Sequence, residues 1–236
     1  MISCIVPAYN EERLLGATLR ALHAATNALE EPYEIIVADD ASSDGTAAVA
    51  ASCGARVVHV SHRQIAATRN SGARAAQGDQ FVFVDADTVV DAAVMRAALQ
   101  ALREGAVGGG AAVRFEGRVP LYARVLLPVF VWLFRTCRWA GGCFVFCTRA
   151  AFEAAGGFDE KLYASEEIAV SNALKRQGRF VVLRQAVTTS GRRIRAYSAT
   201  EALGILAQLA LRGPSGLRSR RSVSMWYEIR REDPDV

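Results

Sequence analysis

Long hydrophobic runs are missing from this sequence. The longest apolar run covers residues 125–134, and its ten residues are fewer than the roughly 18–20 that a membrane-spanning helix needs. This run is still long enough to touch a bilayer or an apolar ligand. The chain starts with an apolar stretch that lacks both the basic residues and the length of a secretory signal. We therefore expect a cytoplasmic protein, with action at the inner face of the membrane as an open alternative.

Cysteine and histidine are also scarce. The five cysteines are odd in number and form no paired framework, which fits buried free thiols in a reducing compartment. Cys143 and Cys147 lie close together, but no second pair of Cys or His residues completes a zinc site. The sequence therefore excludes a disulfide-stapled scaffold and argues against a structural zinc protein.

Lysine is absent from residues 179–236, which contain eleven arginines and five acidic residues. An excess of positive charge favours an anionic partner, which can be a phosphate group, a membrane surface or a nucleic acid. No recognisable nucleic-acid-binding module accompanies the arginines, so we expect no nucleic-acid partner. A solvated, arginine-rich surface explains the same composition equally well.

Short apolar runs alternate with helical patterns along the first 105 residues. Strands are predicted at 2–6, 34–38, 56–60 and 81–84, and helices at 11–29, 45–53, 64–76 and 91–104. This alternation is typical of parallel strands joined by crossover helices. The second half is less regular, with strands predicted at 107–115, 144–146 and 180–183 and helices at 149–155, 165–177 and 199–211. We expect a single α/β domain with a doubly wound, mainly parallel but mixed sheet flanked by helices.

Polar clusters follow three of the predicted strands. They are Tyr9-Asn10-Glu11, Asp39-Asp40 and Asp85-Ala86-Asp87. Ligands of doubly wound sheets bind beyond the carboxyl ends of the strands, so these clusters are expected to share one site. Asp85 and Asp87 can converge on one divalent cation, and such a cation can neutralise charge on a departing phosphate group. An ordinary acidic loop is the alternative for these two residues.

Two further residues are candidates for nucleotide binding. Asp39 can accept a hydrogen bond from the imide N–H of a uracil, or bind the corresponding edge of another base. The alternative is a capped turn, since Ser42, Ser43 and Asp44 are all good helix caps. Both interpretations hold if Asp39 binds the base while Asp44 caps the helix. Arg69 suits a diphosphate or the acidic loop, with a surface arginine on an amphipathic helix as the alternative.

Four segments of the first 90 residues resemble those of a known family. They are 6–12 (VPAYNEE), 37–46 (VADDASSDGT), 67–73 (ATRNSGA) with Gly78-Asp79, and 83–88 (FVDADT). Their order and spacing resemble the inverting family-2 glycosyltransferases of GT-A fold. Further along, 156–160 (GGFDE) resembles the family segment of the same letters, and Ser165-Glu166-Glu167 resembles its Glu-Asp motif. The resemblance extends over residues 1–185.

The resemblance implies transfer of a hexose from a UDP- or GDP-linked sugar to an acceptor hydroxyl, with inversion and with Mn²⁺ or Mg²⁺ as cofactor. The residues implied in nucleotide and donor binding are Pro7, Ala8, Tyr9, Glu11, Asp39, Arg69, Asp85, Ala86 and Asp87. Asp87 and Asp85 would hold the metal. Some relatives add a histidine ligand after the sheet, but the histidines of this chain all lie within its first third, at positions 23, 59 and 62.

The resemblance also implies a general base at Glu167, which would take the proton of the acceptor hydroxyl. The family usually has Asp at this position, and the neighbouring Glu166 is the alternative base. Both carboxylates could instead cap a helix N-terminus, which the helix dipole favours.

The acceptor side is less defined by the sequence. Gly141 and Gly142 precede a predicted strand and can let an acceptor or sugar approach closely. Arg192 and Arg193 follow the last predicted strand, where they can stabilise the leaving diphosphate, and Trp226 can fold over the donor. Residues 119–139 can be core, a dimer face or an interfacial patch for a lipid-linked acceptor. We thus expect a nucleotide-sugar donor and a saccharide or lipid-linked acceptor, with peripheral membrane contact and a homodimer left open.

Within the domain, residues 1–105 are expected to bind the nucleotide sugar, 106–190 to bind the acceptor and carry the base, and 191–236 to form a basic helix and tail. A nucleotidyltransferase would need a glycine-rich basic loop where this chain has Pro7-Ala8-Tyr9-Asn10. The main alternative is a non-catalytic protein that binds a nucleotide sugar or associates with lipid. The intact set of acidic residues argues against that alternative.

Overall fold

The structure is a computed structural model that describes residues 1–196, 200, 201, 204 and 218. Its strands are β1 (Ile2–Ala8), β2 (Tyr33–Asp40), β3 (Arg56–Val60), β4 (Gln80–Val84), β5 (Thr88–Val89), β6 (Ala106–Glu116), β7 (Phe144–Thr148) and β8 (Arg179–Ser190). Its helices are α1 (Leu15–Asn27), α2 (Thr46–Ser52), α3 (Ile65–Ala75), α4 (Ala92–Arg103), α5 (Leu121–Thr136), α6 (Arg149–Ala154), α7 (Glu166–Lys175) and α8 (Arg192–Arg195). Most of the helix predicted at 199–211 lies outside the described residues.

The strands form one mixed sheet in the order β3-β2-β1-β4-β7-β6-β8-β5. The first four strands along the chain run parallel to one another. β7 is antiparallel to both of its neighbours, which are β4 and β6. β6 and β8 run parallel to each other, whereas β5 is antiparallel to β8. The predicted fold class, a single domain with a doubly wound and mainly parallel mixed sheet, is therefore confirmed. Because β1 and β4 are neighbours, the loops that follow them lie side by side.

Alternate side chains of each central strand face two different helix layers. On β1, Ile2, Cys4 and Val6 pack in the layer that contains α1 and α4, whereas Ile5 faces the layer of α3, α6 and α7. The side chains of β1 are buried throughout. Burial on both faces explains why the parallel strands appear in the sequence as continuous apolar runs.

Two glycines permit close packing around the sheet. A Cβ on Gly72 of α3 would lie 2.5 Å from Cγ2 of Ile5 on β1. A Cβ on Gly109 of β6 would collide with the Val181 carbonyl and the Phe146 ring. Glycine at position 72 thus brings α3, and with it Arg69, directly against the sheet.

The last strand is longer than predicted. The sequence predicts that this strand ends at residue 183, but β8 continues to Ser190. The extension pairs with β5, where the Thr88 hydroxyl donates a hydrogen bond to the Thr189 hydroxyl at 2.9 Å. β-Branched threonines suit such an edge pairing, which forms only once the sheet is assembled. Arg192 and Arg193 still follow the end of the strand.

Residues 119–139 contain the helix α5, whose faces differ. Ala123 is buried, Leu126 and Leu127 are half-buried, and the opposite face is exposed. The Tyr122 hydroxyl donates to the Ile194 carbonyl at 2.8 Å and links α5 to α8. In the described part of the chain, no helix has both the length and the hydropathy needed to cross a membrane.

Candidate functional site

A cavity of about 710 Å³ opens beyond the carboxyl ends of β1 and β4. Predicted site residues that line it are Pro7, Ala8, Tyr9, Glu11, Asp85, Ala86, Asp87, Gly141, Gly142 and Glu167. Apolar side chains from β6 and from the inner face of α5, including Val113, Phe115, Val131 and Phe134, form another part of the wall. The cavity is therefore acidic on one side and apolar on the other.

Arg69 is the buried centre of the site, with a side chain that is 1% exposed. Its Nη1 donates to Oε1 of Glu166 at 2.8 Å, and its Nη2 donates to Oδ1 of Asp85 at 2.7 Å and to the Gly142 carbonyl at 2.8 Å. Burial alone would lower the pKa of Arg69, but the charges of Asp85 and Glu166 outweigh it and raise that pKa. Arg69 thus stays charged and ties α3, the loop after β4 and α7 together.

Asp87 and Glu11 share a second arginine. Nη2 of Arg192 donates to both carboxylate oxygens of Glu11, at 2.6 and 2.7 Å, and to Oδ2 of Asp87 at 3.0 Å. The Thr189 hydroxyl donates to the other oxygen of Asp87 at 3.3 Å. Burial opposes the charge of Arg192, but Glu11 and Asp87 raise its pKa. One guanidinium therefore holds the acidic residues after β1 and β4 together.

The two glutamates that open α7 have different surroundings. Glu166 is buried, and Arg69 donates to its carboxylate. Glu167 is half-buried, lines the cavity and lies against Gly142, where a Cβ would come within 3.5 Å of its Cδ. Burial, followed by the charge of Glu166, raises the pKa of Glu167 to about 8. Glu167 can therefore accept a proton near neutral pH, whereas Glu166 holds Arg69 in place.

Asp39 lies behind the cavity wall and not in it. Its Oδ2 is 3.2 Å from Nδ1 of His59, and its buried Oδ1 has no hydrogen-bond partner in the described part of the chain. The next residue, Asp40, lines the cavity but accepts hydrogen bonds from the backbone N–H groups of His62, Arg63 and Gln64. The base-binding role of Asp39 therefore stays a prediction.

Arg63 is a residue of the cavity wall that the sequence pattern did not reveal. Its guanidinium carbon lies 3.8 Å from the centre of the Tyr9 ring, and both side chains line the cavity. A flat guanidinium over an aromatic face forms a surface on which a nucleobase can stack. The only sequence signal is the polar loop 61–63, which follows β3 at the same edge of the sheet.

The GGFDE segment, which precedes α7, packs against α3. Oδ1 of Asn70 accepts from the Phe158 N–H at 2.9 Å, and Nδ2 of Asn70 donates to the Phe158 carbonyl at 2.9 Å. The Arg69 guanidinium carbon lies 5.2 Å from the centre of the Phe158 ring. Gly157 has a φ of 74°, and a Cβ there would lie 2.8 Å from Oδ1 of Asn70, so the position requires glycine. These contacts position Glu166 and Glu167.

The other residues named from the sequence are Ala86, Asp44, Arg193 and Trp226. Ala86 acts through its backbone, because its carbonyl accepts a hydrogen bond from the Thr18 hydroxyl at 2.9 Å. Asp44 accepts from the Thr46 N–H at 3.0 Å, but the N-cap position of α2 is Gly45, so Asp44 lies one residue before the capping position. Trp226 and the side chain of Arg193 lie outside the described residues.

The acidic loop fits a divalent cation that binds together with a diphosphate. In the residues that the structure describes, no group of three or more His, Cys, Asp or Glu side chains could hold a metal ion without other ligands. Mg²⁺ is usually held by one or two carboxylates plus substrate phosphates and water. Asp87 and Asp85, which both line the cavity, offer such a donor pair.

The fold matches solved structures of GT-A glycosyltransferases. A mannosyltransferase from Pyrobaculum calidifontis, solved with GDP-Man and Mn²⁺, has a TM-score of 0.67 over 94% of this chain and 64% of its own, at 19% identity. Glucosyl-3-phosphoglycerate synthase from Mycobacterium tuberculosis, solved with Mn²⁺, UDP and glucosyl-3-phosphoglycerate, has a TM-score of 0.59 over 89% of this chain and 77% of its own, at 20% identity. At these identities the likeness defines the fold alone.

Sequence comparison defines the family. The model for glycosyl transferase family 2 matches residues 3–151, and the chain belongs to this family. An undecaprenyl-phosphate 4-deoxy-4-formamido-L-arabinose transferase from Aeromonas hydrophila is 37% identical over 95 residues, which are 37% of this chain and 29% of that protein. A validoxylamine A glucosyltransferase from Streptomyces hygroscopicus is 36% identical over 91 residues, 36% of this chain and 21% of that protein. The matched segment thus spans less than a third of either relative.

Proposed function

We propose that this chain transfers a hexose from a UDP- or GDP-linked sugar to a hydroxyl group of a saccharide or lipid-linked acceptor, with inversion and with a divalent metal. The observation that carries the proposal is that Glu167, whose pKa is raised to about 8, lines the same cavity as Asp85 and Asp87. A proton acceptor and an acidic diphosphate site in one cavity are what glycosyl transfer requires. Neighbouring folds solved with UDP and with GDP-Man support the class of donor.

In the proposed reaction the acceptor oxygen attacks the anomeric carbon of the donor sugar. The proton of the acceptor hydroxyl passes to the carboxylate of Glu167. The bond between the anomeric carbon and the β-phosphate oxygen breaks, and its electron pair leaves with the nucleoside diphosphate. Attack from the face opposite the departing oxygen inverts the configuration of the anomeric carbon.

The charges around the donor support the departure of the diphosphate. A divalent cation held by Asp87 and Asp85 supplies positive charge to the diphosphate when it is bound. Arg192, which contacts Asp87 and Glu11, can donate hydrogen bonds to diphosphate oxygens. Arg69 acts through Asp85, whose carboxylate it orients. Tyr9 and Arg63 provide the surface for the base.

The proposal is tested by measuring hydrolysis of a panel of UDP- and GDP-sugars with Mn²⁺, Mg²⁺ or EDTA. Asp87→Ala is compared with Asp79→Ala, because Asp79 is an exposed acid whose side chain pairs with the chain's N-terminus. Slow release of one nucleoside diphosphate, lost with EDTA and in Asp87→Ala but kept in Asp79→Ala, is the expected result.

Two other results would overturn the proposed activity. A nucleotide-induced rise in melting temperature without hydrolysis or transfer would favour a non-catalytic nucleotide-sugar-binding protein. No hydrolysis and no thermal shift with any member of the panel would argue against a nucleotide-sugar site altogether.

A further inference from the structure

The outer face of α5, defined by Leu121, Val125, Val129 and Trp132, is apolar and faces solvent. Their exposures are 75%, 65%, 60% and 65%. Their spacing of three or four residues places them on one side of the helix. Among the described residues, every exposed large apolar side chain except Met1 and Val89 lies on α5. A contiguous exposed apolar face of this kind marks a contact surface.

The segment of the chain that contains this face carries basic but no acidic side chains. No acidic residue occurs between Glu116 and Glu153, whereas that stretch contains the arginines 118, 124, 135, 138 and 149. Arg124 and Arg135 are exposed on α5 itself. A helix with an apolar face, a tryptophan and flanking arginines suits the interface of an anionic bilayer.

A groove beside the end of α5 adds to this charge. The arginine groove has a volume of about 640 Å³ and is lined by Arg135, Arg138, Arg179 and Arg184. Arg179 donates to the Glu104 carbonyl at 2.8 Å, and its side chain lies 3.9 Å from the Glu104 carboxylate. The other three are exposed and have no ion pair within the described part of the chain. The groove is therefore open to anionic groups.

The same helix connects this surface to the cavity. Val131, Phe134 and Arg135 of α5 line the cavity, and Arg135 also lines the arginine groove. A bilayer in contact with the outer face of α5 would thus lie beside the apolar part of the cavity wall. The lipids of that bilayer would reach the cavity beside Arg135, which is positively charged.

We propose that the outer face of α5 and the arginine groove together dock on an anionic lipid bilayer, with the cavity opening at the bilayer surface. The helix lies along the surface, because its 16 residues are about 24 Å long and a bilayer core is about 30 Å thick. A second copy of the chain is the weaker occupant. A symmetric contact through this face would bring the arginines of both copies together without an acidic partner on the face. Docking does not depend on the proposed function; only the delivery of a lipid-linked acceptor rests on it.

Vesicle co-sedimentation of the full chain tests the proposal. Phosphatidylcholine vesicles are compared with vesicles that contain about 30% phosphatidylglycerol, without nucleotide and at low and high salt. Val125→Asp tests the apolar face, and the pair Arg138→Glu with Arg184→Glu tests the groove. Ala93→Asp and Arg96→Glu are matched controls on α4, because both positions are exposed and line neither the cavity nor the groove.

The expected result is binding to the anionic vesicles, weakened at least about 10-fold by high salt and by either test variant but not by the controls. Variants are compared only if their melting curves match that of the wild type. Blue-shifted tryptophan fluorescence on binding, lost in Trp132→Phe, would place α5 at the lipid.

No binding to either vesicle, or equal losses in the controls, would overturn the proposal. Dimerisation that Val125→Asp abolishes, without vesicle binding, would assign the face to a second copy. Donor hydrolysis without vesicles reports separately on the proposed function.

Discussion

Glu166 and Glu167 are chemically identical neighbours whose surroundings separate their roles. The carboxylate of Glu166 accepts a hydrogen bond from Arg69, whereas that of Glu167 lines the cavity next to Gly142. The sequence leaves either residue as the base. The contact of Glu166 with Arg69 favours Glu167, because the carboxylate of Glu166 is engaged by a buried guanidinium and does not line the cavity.

We expect Glu167→Gln to reduce turnover by about 10²–10⁴-fold while donor affinity changes little, since it removes proton acceptance. The base acts when deprotonated and its pKa is raised to about 8, so kcat/KM of the wild type should rise with pH and level off above that value. The rise should vanish in Glu167→Gln and persist in Glu153→Gln, an exposed control on α6. A profile that stays flat through pH 8 in the wild type would contradict this role.

The same raised pKa has a consequence for stability. Protons bind Glu167 more tightly in the folded than in the unfolded protein, so its contribution to stability is full below the ordinary pKa of 4.5 and is lost as pH rises through about 8. Glu167→Gln should therefore need more urea to unfold than the wild type at pH 8. Equal urea midpoints of the two proteins at pH 8 would argue against the shift.

Arg192 lies where a cation is expected, in contact with Asp87 and Glu11. Removing this guanidinium frees negative charge for a metal but also removes a donor for the diphosphate. We expect Arg192→Gln to bind Mn²⁺ on the order of 10-fold more tightly without nucleotide, and UDP or GDP more weakly. Electron paramagnetic resonance of free Mn²⁺ measures the first effect and calorimetry the second. Arg195→Gln, in the same helix, is the control, and unchanged Mn²⁺ affinity in Arg192→Gln would exclude the competition.

At the scale of elements, Arg69 joins three of them through one buried side chain. It extends from α3 to Asp85 after β4 and to Glu166 of α7. Arg69→Leu leaves Glu166 buried without its partner and should lower the free energy of unfolding by about 3–5 kcal/mol. Urea denaturation measures this loss. The double variant Arg69→Leu with Glu166→Leu should recover part of it, and no recovery would mean that the arginine acts through Asp85 alone.

Alanine is expected to change stability in opposite directions at two helical glycines, Gly72 of α3 and Gly16 of α1. Gly72→Ala places a methyl group 2.5 Å from Ile5 and should destabilise the fold by about 1–3 kcal/mol. Gly16→Ala on α1 meets the flexible end of Arg20 at 3.2 Å and Cγ1 of Val49 at an ordinary contact distance of 3.6 Å. This change should stabilise the fold by about 0.5–1 kcal/mol through helix propensity. Thermal unfolding of the two variants measures both changes, and a neutral Gly72→Ala would contradict the close approach.

The elements that the sequence predicted well are those with local signals. The apolar runs locate β1, β2, β3 and β4, although β1 and β2 each continue two residues beyond their predicted ends, and Asp91 caps α4 where the predicted helix begins. The end of β8 depends on its pairing with β5, a contact about 100 residues away along the chain, and local pattern does not contain it. The contacts of Arg192 with Glu11 and of Arg63 with Tyr9 are likewise tertiary. Residue types therefore predict a site's chemistry better than its geometry.

At the scale of the whole molecule, the predicted halves 1–105 and 106–190 share one sheet. β4, from the first half, pairs along its full length with β7 from the second. Phe83 packs against Phe152 and Phe158, with ring centres 5.2 and 5.0 Å apart. Residues 1–105 alone would expose this apolar surface and the edge of β4, so we do not expect the two predicted halves to fold separately.

Unfolding of the whole chain should therefore be a single transition. The tryptophans lie at 132, 139 and 226, so fluorescence reports on residues beyond 105, whereas far-ultraviolet circular dichroism reports on all elements. The two thermal curves should coincide. With Mn²⁺ and the correct nucleoside diphosphate at about 100 times the dissociation constant, both should shift together, because such binding stabilises the folded state by about 2.7 kcal/mol. A shift in circular dichroism without one in fluorescence would mean that residues 1–105 fold on their own. Glu167 lies in residues 106–190 and the acidic loop in residues 1–105. If the two halves folded separately, the complete site would therefore form only when one half docked on the other.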